Sequence, residues 1–208
     1  MLPTSRSLAV ALAAALAACQ APDPRTETTI GRSAPSGPRT LQEEVAMLAR
    51  ASRPGPIHAG LRALAGSWEV SLVSVAFDQS EREEARGTAV LEWVHDGRFL
   101  SWAADIGGTG TTSGFLGFDL RHAQYQLLMI SSLSTGMGVA TGYGDLAGEG
   151  IRFTQEIVDP PSGRRMRMTS TLRLVDADHF VLDAFGVDER GEERVLRRTH
   201  YRRAGVKR

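Results

Sequence analysis

Arg165-Met166-Arg167-Met168-Thr169-Ser170-Thr171-Leu172-Arg173-Leu174 decides the fold class of this chain. One parity reads Met, Met, Ser, Leu, Leu, and the other reads Arg, Arg, Thr, Thr, Arg. Successive side chains of a strand point to opposite faces, so this stretch is a half-buried antiparallel strand with one wet face. Period two holds outward from it in both directions, back to Trp68 and on to Arg203. It predicts strands over 67–77, 85–95, 98–106, 112–119, 124–131, 136–143, 150–158, 164–175, 179–187 and 193–203.

The breaks between these runs carry hairpin chemistry: Asp96-Gly97, Pro160-Pro161-Ser162-Gly163, Asp176-Ala177-Asp178 and Arg190-Gly191. No helical period intervenes, so consecutive strands pair as a meander, and closing a meander removes its edges. The expected fold is therefore all-β, an antiparallel up-and-down β-barrel of about ten strands over residues 66–203, with a short N-terminal helix. Gly136, Gly138, Gly142 and Gly144 fall at even spacing on one face, which predicts a strand that is sharply coiled or closely approached.

Residues 40–65 read as short helices. Thr40-Leu41-Gln42-Glu43 is a capping box, and Leu41, Val45 and Leu48 recur at helical spacing until Pro54 and Pro56 interrupt them. Residues 19–39 differ in kind. Pro22, Pro24, Pro35 and Pro38 stand among Ser, Thr and Gly, with Ile30 as the only large apolar residue, a composition that cannot offset its ordering entropy. As a flexible linker this stretch spans roughly 25 Å.

The first 18 residues have the layout of a secretory leader: Arg6 among polar residues, then an apolar run from Leu8 to Ala18. That run is shorter than the roughly 20 residues a spanning helix needs. It ends Leu16-Ala17-Ala18-Cys19, which resembles the bacterial lipobox, and Cys19 is the only cysteine in the chain. A lipidated Cys19 makes the membrane a partner and places the protein in the bacterial cell envelope. With Gln20 rather than Asp after the cysteine, the expected destination in a Gram-negative cell is the outer membrane.

Lys+Arg 24 and Asp+Glu 24 balance, so no basic excess points to nucleic acid. The histidines His58, His95, His122, His179 and His200 show no metal-ligand spacing, and no metal or other cofactor is expected. Gly107 to Gly114 lacks the lysine of a P-loop and reads as a hairpin turn. Glu92, Asp105, Glu156 and Asp183 lie within predicted strands. A carboxylate aimed into a barrel would have a raised pKa and could serve as a general acid or base, so an enzyme stays open as an alternative. His200, flanked by arginines, reads as a surface histidine rather than a haem ligand.

Leu64-Ala65-Gly66-Ser67-Trp68, Gly97-Arg98-Phe99-Leu100, Gly117-Phe118-Asp119, Asp159 to Gly163, Asp178-His179-Phe180 and Thr199-His200-Tyr201-Arg202 follow one another in an order that resembles a bacterial domain-of-unknown-function family, DUF1579. The resemblance implies a calycin-like barrel. Gly66-x-Trp68 is also similar to the opening of lipocalins, where an arginine of the last strand packs across the tryptophan. That likeness assigns barrel closure to Trp68 with Arg202, or Arg198 in second place. The W-x-D step of the family reads Met129-Ile130-Ser131 here, without the acid. Haem-binding nitrobindins are similar in outline, but their opening after G-x-W is replaced by Glu69-Val70-Ser71-Leu72-Val73.

A barrel of this size is either packed or holds one ligand. Parity places Trp93, Trp102, Met129, Ser131, Phe153, Gln155, Met166, Met168, Ser170 and Phe180 on the inner wall as the expected pocket for a small apolar ligand. The alternatives are a filled structural or interaction module, or the carboxylate enzyme.

Overall fold

The structure is a computed structural model that describes residues 40–158, 163–187 and 191–206. The expected leader, the linker with Cys19, and turn residues 159–162 and 190 lie outside the described residues.

Ten strands follow in order: β1 (Gly66–Val75), β2 (Glu81–Val94), β3 (Phe99–Ile106), β4 (Gly110–Asp119), β5 (Gln124–Ser131), β6 (Gly138–Asp145), β7 (Gly150–Val158), β8 (Arg165–Asp176), β9 (His179–Val187) and β10 (Glu193–Arg203). Each pairs antiparallel with the next, and β1 pairs with β10, which closes the barrel. The predicted meander is the observed one. Three strand starts differ by two residues or more, and one of them is β4, which begins at Gly110 rather than 112. β6 begins at Gly138 rather than 136, and β2 begins at Glu81, ahead of the apolar alternation. Glu81-Arg82-Glu83-Glu84 shows no strand pattern of its own. It pairs because Val73–Val75 of β1 offers it an open ladder, with a bulge between Leu72 and Val73 that absorbs one extra residue.

Directly paired residues share a face, so the register sorts the whole wall. Trp68 lies opposite Arg203 and Ala89, Leu91 opposite Trp102, Phe153 opposite Ser170, and Leu172 opposite Leu182. These positions face inward. At the end where β1 begins, the interior is filled. Trp68, Trp102, Phe153 and Phe180 are each at most 1% exposed. Phe180 stacks on Tyr201 with ring centroids 4.3 Å apart and meets Trp68 edge-on at 4.7 Å, while Trp102 meets Tyr201 at 5.3 Å. Each side chain of this kind contributes about 1.5–3 kcal/mol on burial.

Helix α1 (Leu41–Ala51), helix α2 (Pro56–Gly60) and a 3-10 turn (Leu61–Leu64) precede the barrel. The 3-10 turn plugs the filled end: Leu61 and Leu64 are fully buried in the same cluster, and the Trp68 indole Nε1 donates to the Leu64 carbonyl at 2.9 Å. Helix α1 has the predicted helical period, yet none of its residues is buried, and Leu41, Val45 and Leu48 all face solvent.

The closing arginine is Arg203, not Arg202. Its guanidinium lies 4.4 Å over the Trp68 ring and donates to the carbonyls of Ala63, Ala65 and Ala177 and to the Asp178 carboxylate. Arg202 pairs with Glu69, and Arg198 with Val73, both on the outer face, so neither reaches the tryptophan.

Candidate functional site

The opposite end of the lumen is built from the same inward parity but is less deeply buried. Leu72, Ile106, Met129, Ile157 and Met168 keep partial solvent contact, as do the polar Thr112, Ser131, Gln155, Ser170 and Thr199. This partly accessible stretch of the inner wall is the cup. Its lining is half apolar and half polar, with two methionines among the apolar residues and four hydroxyls and one amide among the polar ones. Gln155 Nε2 approaches Met168 Sδ at 3.8 Å, so the amide is weakly held. Met166 stands at the mouth, 48% exposed, and Phe77, Leu133 and Met137 of the neighbouring loops are exposed as well.

The ten residues expected to form the pocket all face inward but do not share one space. Met129, Ser131, Gln155, Met166, Met168 and Ser170 lie on the open half. Trp102, Phe153 and Phe180 are consumed by the packed half and line nothing accessible. Trp93 packs against that core near the plugged end, its indole Nε1 buried without a hydrogen-bond partner. The Trp102 Nε1 likewise lacks a partner of good geometry, although it lies beside the Tyr201 hydroxyl. Burial pushes the Tyr201 phenol well above its ordinary pKa. Parity fixes the face of a residue and not its depth along the barrel, so Trp93, Trp102, Phe153 and Phe180 share the inner face with the cup without lining it.

No inward carboxylate comes from the four acids weighed from the sequence. Glu92, Asp105 and Glu156 are exposed and face outward, opposite Ser101, Thr88 and Arg167. Asp183 is buried, but on the outer face, where Arg198 donates to it through Nε and Nη2. None of these four acids supplies the inward carboxylate that a barrel-acid enzyme needs.

Asp183 starts a chain of polar contacts that sequence spacing does not reveal. Arg198 Nη1 donates to Glu81 Oε1 at 2.8 Å, Glu81 Oε2 lies 3.0 Å from His200 Nε2, and His200 Nδ1 lies 3.0 Å from His179 Nε2. A carboxylate accepts only, so His200 donates through Nε2. The two imidazoles, stacked with centroids 5.2 Å apart, then share one further proton between Nδ1 and Nε2. Burial alone would raise the Glu81 carboxyl, but the hydrogen bonds from His200 and Arg198 outweigh it and hold its pKa below the ordinary value. The chain crosses β1 on the outside, over Val73 and Val75, which are 5% exposed despite facing outward. His200 thus lies outside the lumen, as a surface histidine.

A concavity of about 1140 Å³ flanks this network on the outer wall, lined in part by Glu69, Glu83, Arg86 and Arg202. Its charges are largely spent on one another, as in Arg86 with Glu83 and Arg203 with Asp178. Its lining also includes Val70, Val73, Ala177 and Val206.

A closed ten-stranded meander with one plugged end and one open end defines a calycin-like barrel. Residues 53–203 match the family described as "Protein of unknown function (DUF1579)", and the chain belongs to that family. Among solved structures it is similar to Rv2717c from M. tuberculosis, at 15% identity and a TM-score of 0.48, over 73% of this chain and 99% of that one. No curated protein matches the chain.

Proposed function

We propose that this protein is a lipid-anchored barrel of the bacterial envelope that binds a small apolar ligand in the open half of its lumen. The observation that carries the reading is the methionine-lined inner wall around Met129, Met168 and Gln155, which faces the barrel axis yet stays in contact with solvent. Apolar surface left accessible inside a closed barrel is stabilised by a molecule that covers it. The exposed Phe77, Leu133 and Met137 at the mouth suit entry of such a molecule from an apolar phase. The direct test is titration of the purified protein with the neutral probe N-phenyl-1-naphthylamine. Stoichiometric fluorescence enhancement is expected. Its absence with this probe and with terpenoid and aromatic probes would leave an interaction module with no ligand.

The anchor rests on Leu16-Ala17-Ala18-Cys19. Two or more acyl chains hold durably where one holds marginally, at about 0.8 kcal/mol per buried CH₂. Metabolic labelling with an alkyne fatty acid is expected to tag the wild type and not Cys19→Ser. Equal labelling of both would remove the anchor from this account.

A further inference from the structure

The open end holds a cation whose donors are unanswered. Arg194, the second residue of β10, lies opposite Gly186. Its neighbours face outward: Glu193 pairs with Arg152 of β7, and Val195 lies opposite Phe185, over whose ring Arg152 also sits. Arg194 is therefore turned to the lumen side, at the rim of the cup. Its guanidinium lies 5.6 Å from the Phe77 ring centroid, and its Nε and Nη1 are shut off from solvent without a hydrogen-bond partner among the described residues. Guanidinium N–H groups buried without acceptors are costly, and such groups in native proteins nearly always have a partner. Two other arginines face inward at this end with a counter-charge beside them: Arg82, opposite Ser74, pairs with Glu84, and Arg197, opposite Ala184 and Ser74, is exposed and also has Glu84 beside it. Among the described residues no acid accepts from Nε or Nη1 of Arg194.

Register then connects this cation to the apolar wall. Ser170 pairs with Ala184 and Thr169 with Phe185, so Met168 falls in the row of Gly186 and Arg194, about 10 Å from the arginine at two strand spacings. Gly186 contributes no side chain, and Leu196, left unpaired by the bulge between Val195 and Arg197, folds over it. The path from Met168 to Arg194 is thus apolar along its length and ends in a desolvated cation.

We infer that the cup takes a single-chain anionic amphiphile, with its hydrocarbon chain along Met168 and Leu196 and its acid head accepting from the Arg194 guanidinium. This rests on the reading that the open half holds an apolar ligand, and it adds the head group. A charge-assisted, two-point contact supplies preference for the acid over a neutral analogue of the same length.

The experiment measures displacement of N-phenyl-1-naphthylamine from the purified full chain by decanoate, decanol and decylamine. The expected order is decanoate about tenfold tighter than decanol, with decylamine weakest. In Arg194→Met the decanoate affinity falls to that of decanol, while decanol is unchanged. Equal affinity of wild type for decanoate and decanol would overturn the head-group site and leave the cup standing, and preference retained in Arg194→Met would do the same. Failure of all three to displace a bound probe overturns the amphiphile and leaves the cup standing, whereas failure of the probe to bind removes the cup and the head-group site with it. Should Arg194→Met not fold, carboxyl-labelled decanoate followed by carbon NMR on the wild type decides. A bound carboxyl that titrates below the free acid supports the contact, and one at or above the free value refutes it.

Discussion

Trp68 and Arg203 face each other across β1 and β10, and that pairing closes one end of the barrel. The guanidinium bonds three carbonyls of the plug and of the β8–β9 turn, groups that would otherwise need water at a crowded rim. Charge-assisted hydrogen bonds of this kind contribute more than neutral ones. Arg203→Met is therefore expected to lower unfolding free energy by about 2 kcal/mol, and Arg202→Met by less than about 0.5 kcal/mol, in urea titrations. The reverse order would restore Arg202 as the closing residue. On the outer wall, Glu81 joins Arg198 to His200, and its depressed pKa gives stability a pH signature. A carboxylate held below its ordinary value of 4.5 contributes stability that is present above that pH and is lost as pH falls through the folded value. Glu81→Gln should thus be less stable than wild type at neutral pH, by about 1 kcal/mol, with the gap closing in acid. A gap that persists unchanged in strong acid would mean that packing over Val73 and Val75, rather than charge, is what Glu81 supplies.

Strands were legible because their period is two and their partners are their chain neighbours. What misled was local. The start of β2 is a run of charges that pairs only because β1 extends alongside it, a tertiary cause with no local signature. Register was not legible either, and a one-residue difference in parity separates Arg202 on the outer wall from Arg203 over the tryptophan. The even-spaced glycines of β6 were read for close approach, and the element shows where it applies. A side chain at Gly142 would stand 2.7 Å from the Phe153 ring and 2.8 Å from the Arg152 carbonyl, whereas at Gly136, before the strand, only the Ser134 hydroxyl lies near, at 3.7 Å. Gly142→Ala is expected to cost about 1–3 kcal/mol by forcing a fully buried ring aside. Gly136→Ala should stay within about 0.5 kcal/mol. Thermal unfolding of the pair separates them, and similar midpoints would show that β6 can yield without loss.

For the molecule as a whole, one parity of ten strands serves two purposes along the barrel axis. Near the plug, aromatic rings meet ring to ring and supply the core. Toward the other end, methionine, serine, threonine and glutamine leave the same face accessible. The candidate site was half visible in the sequence, since alternation identified the inner face, while depth depends on strand tilt, bulges and the plug, none of which alternation encodes. This division predicts that stability and binding separate by mutation. Phe180→Leu removes a ring stacked on Tyr201 and edge-on to Trp68, which should cost about 1–2 kcal/mol and leave the affinity for N-phenyl-1-naphthylamine within about twofold of wild type. Met168→Trp adds bulk where there is open space, so stability should change by less than about 1 kcal/mol while probe binding is lost. Both variants are measured by urea unfolding and by probe titration. If Phe180→Leu weakens binding as much as Met168→Trp does, the packed and open halves are one site, and the ligand sits deeper than the cup.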